Sequence, residues 1–235
     1  VCQGGLVTVL LQGGGEFSPG CRAMDRMLLH RADGPVVVTA LAGTVGEDYR
    51  TATQRGVSHF RALGGADVLA APDVREDAAA ALEVLQRARV LVLPGGSPSR
   101  LLAALTGTPV GQLVADLLAA EGIVMGASAG AMVLCPWTVL PDRRGPQGPG
   151  VAPALGLVPD LLVVPHWSGG SSRGEWLRAI RLGVPPGVQV LGIPEESGVL
   201  VEGGVLTAVG SRATTLVGQD RDLPVGESWS RSEPD

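Results

Sequence analysis

The chain predicts an α/β fold: a mostly parallel sheet with helices on both faces. Three observations carry this. Short runs of Val, Leu and Ile alternate with longer stretches of helical period along most of the 235 residues. The apolar runs end at glycine, as strands feeding helices do (Gly13-Gly14-Gly15, Gly43, Gly95-Gly96). Aromatic residues are only 3% of a chain that is 45% hydrophobic, so the core must be built from Val, Leu, Ala and Ile. A chain of this length buries such a core without disulfides or metal.

The elements follow in order. The first strand covers 6–11 and ends in the glycine triplet, and His30 lies later in a polar, helix-like stretch. A second strand covers 36–41. A helix over 49–63 follows, with His59 on its expected solvent side, then a short strand at 66–70. The Ala/Leu-rich run 76–88 is a helix, 90–93 a strand ending in Pro94-Gly95-Gly96, and 97–105 and 110–120 are helices, the first capped by Ser97. Residues 123–125 are a buried strand and 131–134 begin a helix. The Pro/Gly-rich segment 141–153 reads as a long loop, of a kind that is often functional. A strand at 161–164 ends at Pro165-His166, and 174–182 is a helix. Four short β runs, 188–193, 198–201, 205–209 and 214–217, read as hairpins added to the parallel core. The expected organisation is one catalytic α/β domain over 1–218 and a loose polar tail over 219–235.

The formal charge is −5 and there is no basic stripe, which argues against nucleic acid as a partner. No apolar run is long enough to cross a membrane. Cys2, Cys21 and Cys135 are odd in number and far apart, a usage that fits a reducing cytoplasm better than a disulfide framework or a zinc site.

Chemistry concentrates at Gly126-Ala127-Ser128-Ala129-Gly130, a G-x-S-x-G between strand and helix. The turn is so tight that its neighbours must be tiny. It throws Ser128 out at the carboxyl edge of the sheet, where the Ala129 N–H can stabilise an oxyanion. The base expected to serve it is His166, at the tip of the strand 161–164 and so on the same edge. Candidates to orient that base are Asp142, Asp160, Glu175, Glu195 and Glu196. The last two also follow a strand, and on an extended backbone they would point to opposite faces. A second oxyanion N–H is sought in Pro94-Gly95-Gly96, where glycine permits close approach of backbone to substrate.

Four segments, LLQGGGE at 10–16, VLPGGSPSRLL at 92–102, GASAGAMVL at 126–134, and VVPHW followed by GIPEESGVLV, resemble the peptidase E (aspartyl dipeptidase) and cyanophycinase group of serine peptidases. The resemblance implies a class I glutamine amidotransferase-like core, a flavodoxin-like three-layer sandwich. It implies a triad of Ser128, His166 and Glu195, with oxyanion N–H groups from Gly96 and Ala129. It also implies a substrate-binding arginine at Arg173. The family's usual Asn or Asp after the Gly-Gly turn is Ser97-Pro98 here, and the 167–172 loop is short, both departures from aspartyl specificity. The expected activity is hydrolysis of small peptides without metal or organic cofactor, with a homodimer as a candidate assembly. Two other classes remain open at this point: an α/β-hydrolase-type esterase using Ser128, Asp142 and His166, and a catalytically silent amidotransferase-like binding domain.

Overall fold

The computed structural model describes residues 7–145, 148–219 and 221–230. Cys2, the first residue of the expected 6–11 strand, residues 146–147 and the end of the tail lie outside them.

In the first half of the chain, strands and helices alternate: β1 (Thr8–Gln12), α1 (Arg22–Arg31), β2 (Val36–Val38), α2 (Glu47–Ala62), β3 (Val68–Ala70), α3 (Ala78–Leu85), β4 (Val90–Leu93), α4 (Pro98–Leu105), α5 (Pro109–Ala119), β5 (Ile123–Ala127) and α6 (Ala129–Leu134). The helix starts are written locally. Asp77, Ser97 and Thr108 each accept a backbone N–H two or three positions into α3, α4 and α5, and Pro98 and Pro109 open the latter two.

The second half is richer in β structure. It comprises β6 (Trp137–Gly145), β7 (Gly148–Pro153), β8 (Leu161–Val164), α7 (Gly174–Gly183), β9 (Gln189–Gly192), β10 (Ser197–Glu202), β11 (Val205–Gly210), β12 (Thr214–Val217), β13 (Arg221–Leu223) and β14 (Ser228–Ser230).

The main sheet has eight strands in the order β14-β11-β10-β1-β5-β4-β2-β3, with β1 to β3 on the right of that order parallel and β10, β11 and β14 antiparallel. The period of two along its strands sorts the core into layers. Val9, Leu11, Leu91, Leu93 and Val124 face α3 to α6, whereas Leu10, Val90, Val92, Ile123 and Met125 face α1 and α2. This is the expected three-layer α/β arrangement. The adjacent strands β1 and β5 therefore send their following helices, α1 and α6, to opposite faces. A crevice opens between their carboxyl ends, the usual place for a site in such a sheet.

Three expectations are corrected. The strand 161–164 does not extend the parallel core: β8 pairs with β9 in a separate sheet of order β13-β12-β9-β8, and 214–217 joins it there. One face of that sheet, through Leu162 and Val164, packs with α7, Trp167 and Met132 as a small core of its own, while Leu161, Val163, Leu191 and Leu216 join the main core. The segment 141–153 is mostly the hairpin β6–β7, with a bulge between Leu140 and Arg144. Val139 and Val151 face this small core, and the prolines are tolerated because the two strands form a ribbon with open edges. The tail is not loose over 221–230: β13 and β14 each close the edge of a different sheet, with Leu223 buried and Trp229 packed on the main core.

Candidate active site

Ser128 sits between β5 and α6 at φ 48° and ψ −108°, a backbone conformation that L-residues rarely hold. Packing forces it. A Cβ on Gly126 would fall 2.5 Å from the Gly130 carbonyl carbon, and one on Gly130 would fall 2.2 Å from the Leu93 oxygen. The Ser128 N–H is held by the Gln12 carbonyl at 2.9 Å, and its own carbonyl accepts the Met132 N–H at 3.0 Å. Strand β1 and the first turn of α6 thus lock both ends of the residue, leaving its hydroxyl to point outward.

That hydroxyl lies 2.9 Å from His166 Nε2, and His166 Nδ1 lies 2.9 Å from Glu195 Oε1. A carboxylate only accepts, so Nδ1 carries the proton and Nε2 is free to accept from the serine. The imidazole and the carboxylate are 40% and 56% exposed, so this hydrogen-bonded pair is open to water rather than sealed in the core.

The imidazole reaches Ser128 although β8 belongs to the other sheet, because the glycine triplet stitches the two sheets together. The His166 N–H donates to the Gly13 carbonyl, the Glu196 N–H to the Gly14 carbonyl, and the Gly13 N–H to the Ser197 carbonyl. The ring lies on Gly14, where a Cβ would come within 2.3 Å of Cε1. In the sequence the triplet marks only the end of the first strand. A steric need for glycine under a histidine was the missing reason.

Glu195 and Glu196 do diverge, but through a turn, Glu196 having φ 57°, and not through an extended strand. Glu196 accepts from the Ser18 hydroxyl at 2.7 Å, and its carboxyl fills the space beside Gly20. Asp142 accepts from Ser99 at 2.6 Å, with His166 Nδ1 already engaged by Glu195, so the Ser128–Asp142–His166 arrangement is not assembled. Asp160 precedes β8, at the end of that strand away from His166. His59 is also corrected: its side chain is 9% exposed and lies 2.7 Å from the buried Asp25 carboxyl, whose pKa burial raises.

Gly96 and Ala129 have backbone N–H groups without a hydrogen-bond partner among the described residues, whereas the Gly95 N–H is taken by Glu16 at 2.9 Å. Gly96 has φ 141°, and a Cβ there would strike the Ala42 carbonyl at 2.6 Å. Arg173 reaches this edge, but its Nη2 donates to the carbonyls of Pro165 and His166 at 3.1 and 3.2 Å, and its guanidinium packs on Trp176. Burial pulls its pKa below the ordinary guanidinium value. The visible work of this side chain is to brace the His166 turn. Among the described residues, no group of three or more His, Cys, Asp or Glu is placed to hold a metal ion.

A hydroxyl, an imidazole and a carboxylate in series can raise a weak nucleophile to reactivity, and nearby free N–H groups can hold the negative oxygen that results. The model of Peptidase family S51 matches residues 22–209, which include all three side chains. This protein belongs to peptidase family S51. A relative of this S51 protein, Peptidase E of Salmonella arizonae (strain ATCC BAA-731 / CDC346-86 / RSK2980), is 28% identical over 143 residues, covering 58% of this chain and 62% of that one. The match therefore spans less than two thirds of the relative's length. Among solved structures, a peptidase from an acI-B1 Actinobacterium superposes with a TM-score of 0.78 over 97% of this chain and 98% of that one, at 23% identity. A putative Peptidase E protein from Listeria monocytogenes EGD-e gives 0.61 over 88% and 99%, at 17% identity. Both share the fold of the S51 chain described here.

Proposed function

We propose that this protein is a serine peptidase of small peptides. One observation carries the reading: two 2.9 Å contacts link Ser128, His166 and Glu195 in series at a strained elbow. Ser128 Oγ attacks the scissile carbonyl carbon as His166 Nε2 takes its proton. The tetrahedral oxygen is held by the N–H groups of Gly96 and Ala129. Collapse breaks the C–N bond, and the imidazolium gives its proton to the leaving amine. Water, deprotonated by the same imidazole, then attacks the acyl-enzyme; the C–Oγ bond breaks, the imidazolium returns the proton to Ser128 Oγ, and the acid leaves. Glu195 keeps the proton on Nδ1 and stabilises the imidazolium.

A preference for carboxylate-bearing substrates rests on Arg173. With Nη2 engaged by backbone carbonyls, that preference depends on its remaining terminal nitrogen, Nη1. The deciding experiment screens dipeptides, aminoacyl amides and β-aspartyl peptides with wild type and Ser128→Ala, alongside labelling by a serine-directed phosphonate. Turnover and labelling that both vanish in Ser128→Ala establish the nucleophile. Wild type that neither cleaves nor labels is a silent binding domain instead.

A further inference from the structure

We propose that Glu16 is the specificity-determining residue that binds the α-ammonium of the substrate's acyl residue, making this an enzyme for unblocked amino termini. The inference rests on Ser128 being the nucleophile.

Glu16 lies on the turn after β1 and is partly buried. Its Oε1 accepts the Gly95 N–H, which fixes where the carboxylate points. It points toward the nucleophile. A Cβ built on Gly95 would lie 2.8 Å from Glu16 Oε1 and 3.2 Å from Ser128 Cβ, so the two side chains flank one face of the same glycine. Gly95 is what lets them share that space, since any larger residue would fill it.

The carboxylate also lacks a cationic partner among the described residues. It lines a pocket of about 220 Å³ together with Gly15, Phe17, Gly95 and Arg55, yet Arg55 makes no ion pair with it. A half-buried anion left unpaired beside a nucleophile is poised for a cation that arrives with the substrate.

Covalent geometry says which cation. Once Ser128 Oγ faces a peptide carbonyl carbon, the α-nitrogen of the same residue is two bonds away, about 2.5 Å through space. That puts the α-nitrogen within reach of the Glu16 carboxylate, which flanks the same side of Gly95 as Ser128. A protonated amine there donates to the carboxylate in a charge-assisted bond, and an acylated one has neither the charge nor the room.

The test uses two phosphonate diphenyl esters that mimic alanine, one with a free amine and one N-acetylated, and a small fluorophosphonate with no amine. The labelling rate of Ser128 is followed by mass spectrometry in wild type and Glu16→Gln. The glutamine keeps an oxygen for the Gly95 N–H, so the turn stays in place. In wild type the free amine should react at least ~10-fold faster than its acetylated twin. Glu16→Gln should slow the free-amine probe by ~10- to 100-fold through a higher apparent KI, leaving the other two rates within about twofold. Equal wild-type rates for the two esters would overturn the proposal. So would an equal loss for all three probes in Glu16→Gln, which would mean that Glu16 only positions Gly95. Failure of the fluorophosphonate to label wild type is a different result: it removes the serine-peptidase reading itself.

Discussion

At the scale of single residues, the two adjacent glutamates separate roles that their chemistry alone cannot. Glu195 meets the imidazole and Glu196 meets Ser18, because a left-handed residue at 196 turns the chain between them. Glu195→Gln should therefore lower kcat/KM by ~10²-fold or more, whereas Glu196→Gln should stay within about tenfold of wild type in activity and lose ~1 kcal/mol of stability. Steady-state kinetics and urea melts on both variants check this. A reversed order of activity would put the orienter one residue later. Cys21 offers a second test. Burial pushes its thiol up to about 11, so at pH 8 roughly one thiol in a thousand is ionised. Native protein treated with iodoacetamide at pH 8 should leave Cys21 and Cys135 unmodified, since both are buried. Because the folded pKa is the raised one, the stability Cys21 contributes is full below the unfolded thiol pKa and falls as pH rises toward 11. Some of this was legible in the sequence and some was not. Ser128 was, because five consecutive small residues state the steric problem locally. Glu16 and Gly14 were not, because their partners, Gly95 and His166, are distant in sequence and become neighbours only through the fold.

At the scale of elements, glycines set how closely strands, helices and turns approach. Gly14 is the sharpest case, with φ 125° and the His166 ring occupying the place of a side chain. Gly14→Ala should displace the imidazole and cut turnover by ~10²-fold, while costing about 1–3 kcal/mol in folding. A fold intact by circular dichroism with full activity would mean that the ring has another seat. Apolar period placed β1, β4, β5 and the helices α2, α4 and α5 close to their observed bounds, and Ser97 caps α4 as its position implied. Periodicity failed where pairing partners decide. It cannot say which sheet a four-residue run such as β8 will join, nor that Pro- and Gly-rich flanks at 137–153 will fold back as a ribbon. It also put His59 in water, when Asp25 on a different helix draws it inward.

At the scale of the whole molecule, one short C-terminal segment finishes the two larger sheets. Strand β13 covers the edge of β12 and β14 covers the edge of β11. Removing residues 221–230 would bare two rows of unpaired backbone groups and the seat of Trp229. Truncation after 219 should lower Tm by several degrees and raise light scattering at modest concentration. Unchanged melting and solubility would show that the edges need no cover.

The hydroxyl comes from one sheet, the imidazole from the other, and the carboxylate from the segment that joins β9 to β10, with the glycine triplet and a shared layer of apolar side chains spanning the seam. Turnover is therefore a gauge of how firmly two slabs of protein are held in register. A slip of an ångström along that seam would part Ser128 from His166 while each slab kept its own hydrogen bonds and helices. On gentle heating or in dilute urea, catalysis should fade before the far-ultraviolet spectrum changes, and return on cooling or dilution. Loosening the seam would cost activity before it cost structure.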